Sequence, residues 1–307
     1  MRQRTPRDGR WRLPTSFRDG VTRPTILVTG ANGQLGYELA RLLPAHGDVV
    51  ALDRSGLDLA DVDAIRATVR ALRPQLIVNA AAYTAVDRAE REPEVAEAIN
   101  ARAPAVLAEE AKRLDALLVH FSTDYVFDGA ASTPYGEEAP THPLNAYGRS
   151  KLRGEQAIVA AGAGSITFRT SWIYALRGRN FLLTIRRLAA EREELRIVAD
   201  QFGVPNWSRP LAEATATLVG RGLRELAACA GIYHMSGQGQ ASWFEFARAI
   251  IGNVEQPRLV PITTAEYPAA AARPRYAVLA TAKFERTFGF SLPNWRAMLE
   301  RCLAGPD

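Results

Sequence analysis

A short apolar run, Thr25-Ile26-Leu27-Val28-Thr29, passes directly into Gly30-Ala31-Asn32-Gly33-Gln34-Leu35-Gly36 and then into a helical pattern that reaches about Pro44. Strand, glycine turn and helix in that order form the context a nucleotide-binding loop requires, and they commit the chain to a sheet whose strands alternate with helices. Gly30, Gly33 and Gly36 make G-x-x-G-x-x-G. Such glycines permit a tight turn and close backbone approach, so N–H groups at the helix start face a pyrophosphate. Asn32, Gln34 and Leu35, between those glycines, are expected to border the same ligand.

Further buried-strand candidates are Val49 to Leu52, Leu76 to Asn79, Leu117 to Phe121 and Ile166 to Arg169, with helical patterns between them at about 61–73, 94–114 and 145–162. This alternation predicts an α/β fold, a doubly wound, Rossmann-like parallel sheet covered on both faces. After Trp172 the pattern changes. Helices are expected at about 180–193, 208–228, 242–252 and 294–303, with short extended pieces at Leu195 to Val198 and Gly231 to His234, among denser Pro and Gly. Residues 25–175 therefore read as a dinucleotide-binding domain and 176–307 mainly as a smaller α+β substrate-binding lobe, from which some segments return to the first. A ligand belongs between them, at the carboxyl ends of the strands.

The net charge of +5 invites a nucleic-acid reading until it is located. Residues 1–24 hold seven arginines and two aspartates, so the tail carries the whole excess and the body is formally neutral. Lacking periodicity, the tail is expected to be disordered. No nucleic-acid partner is expected. No apolar run approaches a membrane span and no apolar segment follows the basic start, so neither a membrane nor a secretory signal is supported. Cys229 and Cys302 stand far from every motif, and a reducing cytoplasm is the expected compartment.

The chemistry is concentrated in Tyr147-Gly148-Arg149-Ser150-Lys151. The chain has three lysines against thirty-five arginines, so a lysine here is a pointed choice. A spacing of four on a helix puts phenol and ammonium on one face, where the ammonium is expected to lower the tyrosine pKa for proton exchange with a carbonyl or alcohol. Upstream, His120-Phe121-Ser122-Thr123-Asp124-Tyr125 ends a strand with hydroxyls able to bond the same reacting oxygen. Asp53 ends the second strand, where an acid bonds adenosine ribose hydroxyls, and Arg54 beside it suits a 2′-phosphate, which leaves NADH and NADPH both open. Asp58 and Leu59 are placed near the adenine. Ala80, Ala81, Ala82 and Tyr83 end the third strand with small residues that let a cofactor pass close to the backbone.

Together these segments resemble the extended short-chain dehydrogenase/reductase superfamily and, within it, the dTDP-4-dehydrorhamnose reductase family. The resemblance is carried by Val28 to Gly36, Val78 to Asp87, Ser122 to Gly129, Arg169 to Tyr174 and Asp200 to Pro205, and spans about residues 25–303. It implies hydride transfer from reduced nicotinamide to C4 of a keto-sugar, with Tyr147 as proton donor. Lys151 would tune Tyr147 and hold the nicotinamide ribose, while Thr123 would bond the carbonyl. Thr123, Asp124 and Trp172 match the family's sugar contacts. The implied partners are a nucleotide-sugar substrate and, as assembly, a monomer or homodimer. Another nucleotide-sugar reductase or epimerase, or a non-catalytic NADP-binding regulatory subunit, is the alternative; the intact Thr123, Tyr147 and Lys151 argue against the regulatory one.

Three departures stand out. Asn206 follows Asp200-Gln201-Phe202-Gly203-Val204-Pro205 where the family usually has Thr. Arg273-Pro274-Arg275-Tyr276-Ala277-Val278-Leu279 replaces the usual R-P-x-N-S-x-L. Some relatives place acids around an interface Mg2+; Glu38 matches one, but Arg209 stands where a second is expected, which argues against a metal-bridged dimer.

Overall fold

The computed structural model describes residues 23–252 and 257–305. The arginine-rich tail, apart from its last two residues, lies outside them.

Strands β1 (Thr25–Thr29), β2 (Asp48–Leu52), β3 (Leu76–Asn79), β4 (Leu117–Thr123), β5 (Ser165–Thr170) and β6 (Gly231–His234) form one parallel sheet in the spatial order β2-β1-β3-β4-β5-β6. The winding reverses between β1 and β3, which opens a crevice at the carboxyl ends of the strands. Alternation along β1 sorts its side chains between two layers. Ile26 and Val28 pack with helix α1 (Gln34–Leu42) on one face, and Leu27 packs on the other with α2 (Val62–Leu72), α3 (Ala103–Leu114) and α4 (Ala146–Ala161).

The α1 layer is completed from the carboxyl-terminal half. Leu211 and Leu218 of α5 (Ser208–Gly220) and Phe284 and Phe288 of α6 (Ala282–Phe288) share its core, and β6 extends its sheet. The rest of that half forms a separate core around Tyr174, Leu182, Val204, Phe246 and Trp295, beside a parallel pair of strands, Glu194–Val198 with Arg258–Ile262. Two helices expected to be continuous are interrupted. The pattern at 208–228 breaks at Gly222, whose φ of +108° glycine alone adopts comfortably. The pattern at 94–114 contains a π turn over Ala98–Arg102. Among the described residues no helix is long and apolar enough to cross a membrane.

Candidate active site

The glycine turn closes on itself. Gly30 has a φ of +73°, and a methyl group on it would come within 2.8 Å of the Ala81 backbone across the crevice. On Gly36 a methyl group would meet the Gly30 carbonyl oxygen at 2.1 Å. Gly36 is therefore spent on packing α1 against its own turn and does not line the cleft. The other positions singled out in the sequence do. Gly30, Asn32, Gly33, Gln34 and Leu35 form one wall of a cleft of about 730 Å³. Asp53, Arg54, Asp58 and Leu59 stand at one end, Ala80 to Tyr83 along the side, and Thr123, Asp124, Tyr147, Lys151 and Trp172 at the other end.

At the β2 end the polar groups face water. Asp53 bonds the Ser55 hydroxyl at 2.6 Å and the Ser55 amide at 2.9 Å, and Asn32 donates to its second oxygen. The Ser55 hydrogen bond, more than any other contact, holds the Asp53 carboxyl below its ordinary value. Arg54 makes a loose 3.4 Å contact with Asp58 and is 80% exposed.

At the opposite end Thr123, Asp124 and Lys151 are buried, and Tyr147 is partly buried at the cleft wall. Asn145 caps α4, accepting from the Gly148 amide at 2.8 Å and donating to the Ala272 carbonyl at 2.8 Å. Gly148 lets the helix press on the loop after β4, for a methyl group there would meet the Tyr125 carbonyl at 2.2 Å. The Tyr147 ring consequently meets the Tyr125 ring edge-on at 5.8 Å. One and two turns on, Ser150 accepts from Asn100 of the π turn at 3.0 Å, and a methyl group on Gly154 would strike the Asn100 carbonyl at 2.1 Å. The π turn and the glycines of α4 are thus complementary surfaces that fix the register of Tyr147 and Lys151.

Lys151 is fully buried. Its Nζ donates to the Phe121 carbonyl at 2.6 Å and lies 3.1 Å from His120 Nε2. Burial lowers its pKa to about 8, against a smaller opposing pull from Glu155. The expectation that this ammonium lowers the tyrosine pKa fails in this geometry. Burial pushes Tyr147 up to about 12, the hydrogen bond with Thr123 pulls it down, and Asp124 adds to the rise. Phe121 and His120 engage the lysine instead, and desolvation governs the phenol.

Asp124 is buried, accepts from the Thr123 hydroxyl at 2.9 Å, and keeps its second oxygen without a protein partner. Burial raises it to about 7. Trp172, at a φ of +42°, is held there by a parallel stack on Trp243 with ring centroids 3.5 Å apart and by the bare face of Gly203. Beneath the cleft, Arg169 of β5 grips Glu155 at 2.6 Å in a buried pair that Ser122 also joins.

Sequence reasoning passed over His120, Asn100, Glu155, Tyr125 and Trp243. His120 and Tyr125, both inside the quoted strand end, carried a local signal; Asn100, Glu155 and Trp243 carried none. Tyr125 and Trp243 also line a second cavity of about 620 Å³, together with Arg192, Arg196 and Arg273. Arg273, in the departing R-P segment, pairs with Asp87 through two contacts of 2.7 Å and thereby holds that carboxyl down at about 2. Asn206, the other departure, is buried and donates to the Ser171 and Val204 carbonyls while accepting from the Gly237 amide. Its side chain stitches three backbone segments together, which a threonine hydroxyl cannot do alone. Glu38 lies on α1, 3.8 Å from Arg41, and Arg209 on α5, the helix packed against it, pairs with Glu213 at 3.2 Å; a guanidinium cannot ligate a hard dication. Among the described residues no cluster of three or more His, Cys, Asp or Glu side chains stands ready for a metal.

The family described as the RmlD substrate binding domain matches residues 24–306. A dTDP-4-dehydrorhamnose reductase of Burkholderia thailandensis is 49% identical over 290 residues, covering 91% of this chain and 97% of that protein. One from Escherichia coli is 40% identical over 91% of this chain and 96% of its own length. The crystal structure of dTDP-4-dehydrorhamnose reductase from Bacillus anthracis, in complex with NADP, superposes with a TM-score of 0.86 at 37% identity, covering 93% of this chain and 100% of that one. A UDP-glucose 4-epimerase of Thermus thermophilus in complex with NAD shares the fold at 18% identity and a TM-score of 0.74. With its parallel sheet, its glycine turn and near full-length identity to named reductases, this chain belongs to the RmlD family of dTDP-4-dehydrorhamnose reductases and is an oxidoreductase.

Proposed function

We propose that this chain reduces the C4 keto group of dTDP-4-dehydro-L-rhamnose to dTDP-L-rhamnose with NADPH or NADH. The observation that carries this reading is the convergence of Thr123, Tyr147 and Lys151 on the buried end of one cleft whose other end begins at a glycine turn. The cleft fits a dinucleotide. Amides at the start of α1 face a pyrophosphate, Asp53 accepts from ribose hydroxyls, Arg54 meets a 2′-phosphate, and the alanines of the third loop admit a flat ring. When bound, the reduced nicotinamide supplies the hydride.

The side chains do the rest. Thr123 and Tyr147 hold the sugar carbonyl oxygen between two hydroxyls, and the Tyr147 phenol gives that oxygen its proton. A phenol raised to about 12 stays protonated at neutral pH, which is the form a donor needs. Lys151 offers N–H donors to the nicotinamide ribose from a slot closed to water. Asp124 and Trp172 shape the sugar site, and the arginine-lined second cavity suits the nucleoside diphosphate. The cleft holds no metal in this reading.

Oxidation of NADPH and NADH with dTDP-4-keto-6-deoxy-L-mannose, run beside Tyr147→Phe, tests it. The wild type is expected to turn over and Tyr147→Phe to lose on the order of 10²-fold or more in kcat. No net oxidation by the wild type rejects the substrate, and cofactor retained without consumption points to an epimerase. Full activity in Tyr147→Phe removes the proton-donor role.

A further inference from the structure

Four hydroxyls meet at the carboxyl ends of β4 and β5, all of them on the wall of the main cleft: Ser122 and Thr123 from β4, Thr170 from β5 and Ser171 just after it. Each residue is at least nine-tenths buried. Three of the four are engaged by the protein. Ser122 donates to Glu155, and Thr123 donates to Asp124 at 2.9 Å while accepting from the Tyr125 amide at 3.2 Å. Ser171 donates to the Val204 carbonyl at 2.8 Å and accepts from Asn206 at 3.2 Å. The fourth, Thr170 Oγ1, has no hydrogen-bond partner among the described residues. Buried hydroxyls are almost always paired, and an unpaired one costs stability that a valine of the same shape avoids. In the wall of a binding cleft, the partner such a group still lacks is the ligand.

Its place in the sheet says which part of the ligand. Side chains alternate along a strand, and Ile166 and Phe168 of β5 lie in the same core as α1, as do Leu117, Val119 and Phe121 of β4. Thr170 and Thr123 continue those two rows and are direct partners in the β4–β5 register. The two threonines therefore stand side by side on the α1 face, on strands about 4.8 Å apart. In the reaction proposed above, on which this rests, Thr123 holds the oxygen of the carbonyl whose carbon takes the hydride. The hydride leaves C4 of the nicotinamide, and a ring carbon bonded to C4 carries the carboxamide. A carboxamide is uncharged and offers both an N–H and a carbonyl, and a hydroxyl one strand along from Thr123 can serve either.

We propose that Thr170 is a cofactor-binding residue, whose hydroxyl holds the nicotinamide carboxamide and thereby fixes which face of the ring is turned to the sugar. A ring held only through its ribose can turn over about the glycosidic bond. One held at the carboxamide as well cannot do so without breaking that contact.

Titration calorimetry on the whole protein with NADPH, NADH and ADP-ribose, which keeps the pyrophosphate and both riboses but has no nicotinamide, tests this without turnover. Thr170→Val should weaken both reduced dinucleotides by about 3- to 10-fold, the loss of one neutral hydrogen bond, and leave ADP-ribose within about twofold. Thr170→Ser, which keeps the hydroxyl, should bind all three as the wild type does. Because Thr170 Oγ1 lacks a partner in the protein, Thr170→Val should also unfold at the wild-type temperature or above it. Unchanged affinity of Thr170→Val for the reduced dinucleotides overturns the assignment. An equal loss for all three ligands, or a lower unfolding temperature, overturns it too, since the hydroxyl would then support the cleft and not the ring. A wild type that binds none of the three rejects the dinucleotide reading itself.

Discussion

The two ends of the main cleft are built on different principles. Around Asp53 and Arg54 the polar groups are held by local contacts close to water, and the shape is set by backbone, with Gly30 in a positive φ and Gly36 against the Gly30 carbonyl. Around Tyr147 the polar groups are buried and held from inside the core, and charge is governed by desolvation. Water screens and repairs a lost contact at the first end; at the second nothing substitutes for it. The same kind of substitution should therefore cost much more at the buried end.

The largest effect is expected at Glu155. Glu155→Gln leaves Arg169, whose side chain is 4% exposed, as a buried guanidinium without its counter-ion. Breaking such a pair costs about 3–5 kcal/mol, so calorimetry and denaturant unfolding should show a markedly less stable protein. A loss below about 1 kcal/mol would mean that water reaches this pair, and the contrast between the ends would weaken.

Asp124 gives the contrast a pH dependence. Burial raises its carboxyl to about 7, so the folded chain holds this proton more tightly than the unfolded chain. Its favourable contribution is full below the ordinary carboxylate range and is lost as pH rises through about 7. Holding the proton that much more tightly is worth about 4 kcal/mol at most. Asp124→Asn should flatten stability against pH between about 4 and 7, measured by urea midpoints. An unchanged slope assigns that dependence to other groups.

Lys151→Arg follows. Nζ sits 2.6 Å from the Phe121 carbonyl and 3.1 Å from His120 in a fully buried position, a point contact that a planar guanidinium on a different stem does not reproduce. A fall in kcat of about 10²-fold is expected in the NAD(P)H oxidation assay. Activity within threefold of wild type would show that any cation serves.

The legible parts of the molecule are those written in short stretches. Thr25 to Gly36 reads as strand, turn and helix because alternation, glycine spacing and helix onset all lie within a dozen residues. Tyr147 and Lys151 read as a pair because one helical turn joins them. What was lost lies across distance: Asn79 and His120 are 41 residues apart and meet only because β3 and β4 are neighbours. Asn100 and Ser150 meet because a π turn bulges into α4. The predicted influence of Lys151 on Tyr147 failed for the same reason, since helical spacing says which groups share a face and nothing of the carbonyl and imidazole that claim the ammonium from the strand below. Likewise, β6 lies after Trp172 in the chain and yet joins the first sheet, with α5 and α6 in the layer that covers it, because a buried strand carries no mark of which sheet it joins.

The smallest effect should come from the wet end. Arg54 is 80% exposed and its one ion pair among the described residues, to Asp58, spans 3.4 Å, so removing it disturbs no packing. If it meets a 2′-phosphate, that contact is a single charge in water, worth about 1.4 kcal/mol or less and weakened by salt. Arg54→Ala should raise the KM for NADPH by about tenfold, leave that for NADH within twofold, and leave kcat for both alone. The NADPH penalty should shrink as ionic strength rises, because screening has already removed part of what the mutation takes. A kcat loss with NADH would show that the two ends are mechanically coupled, and a penalty for NADPH that ignores salt would mean that Arg54 closes over the cofactor and buries this end as well.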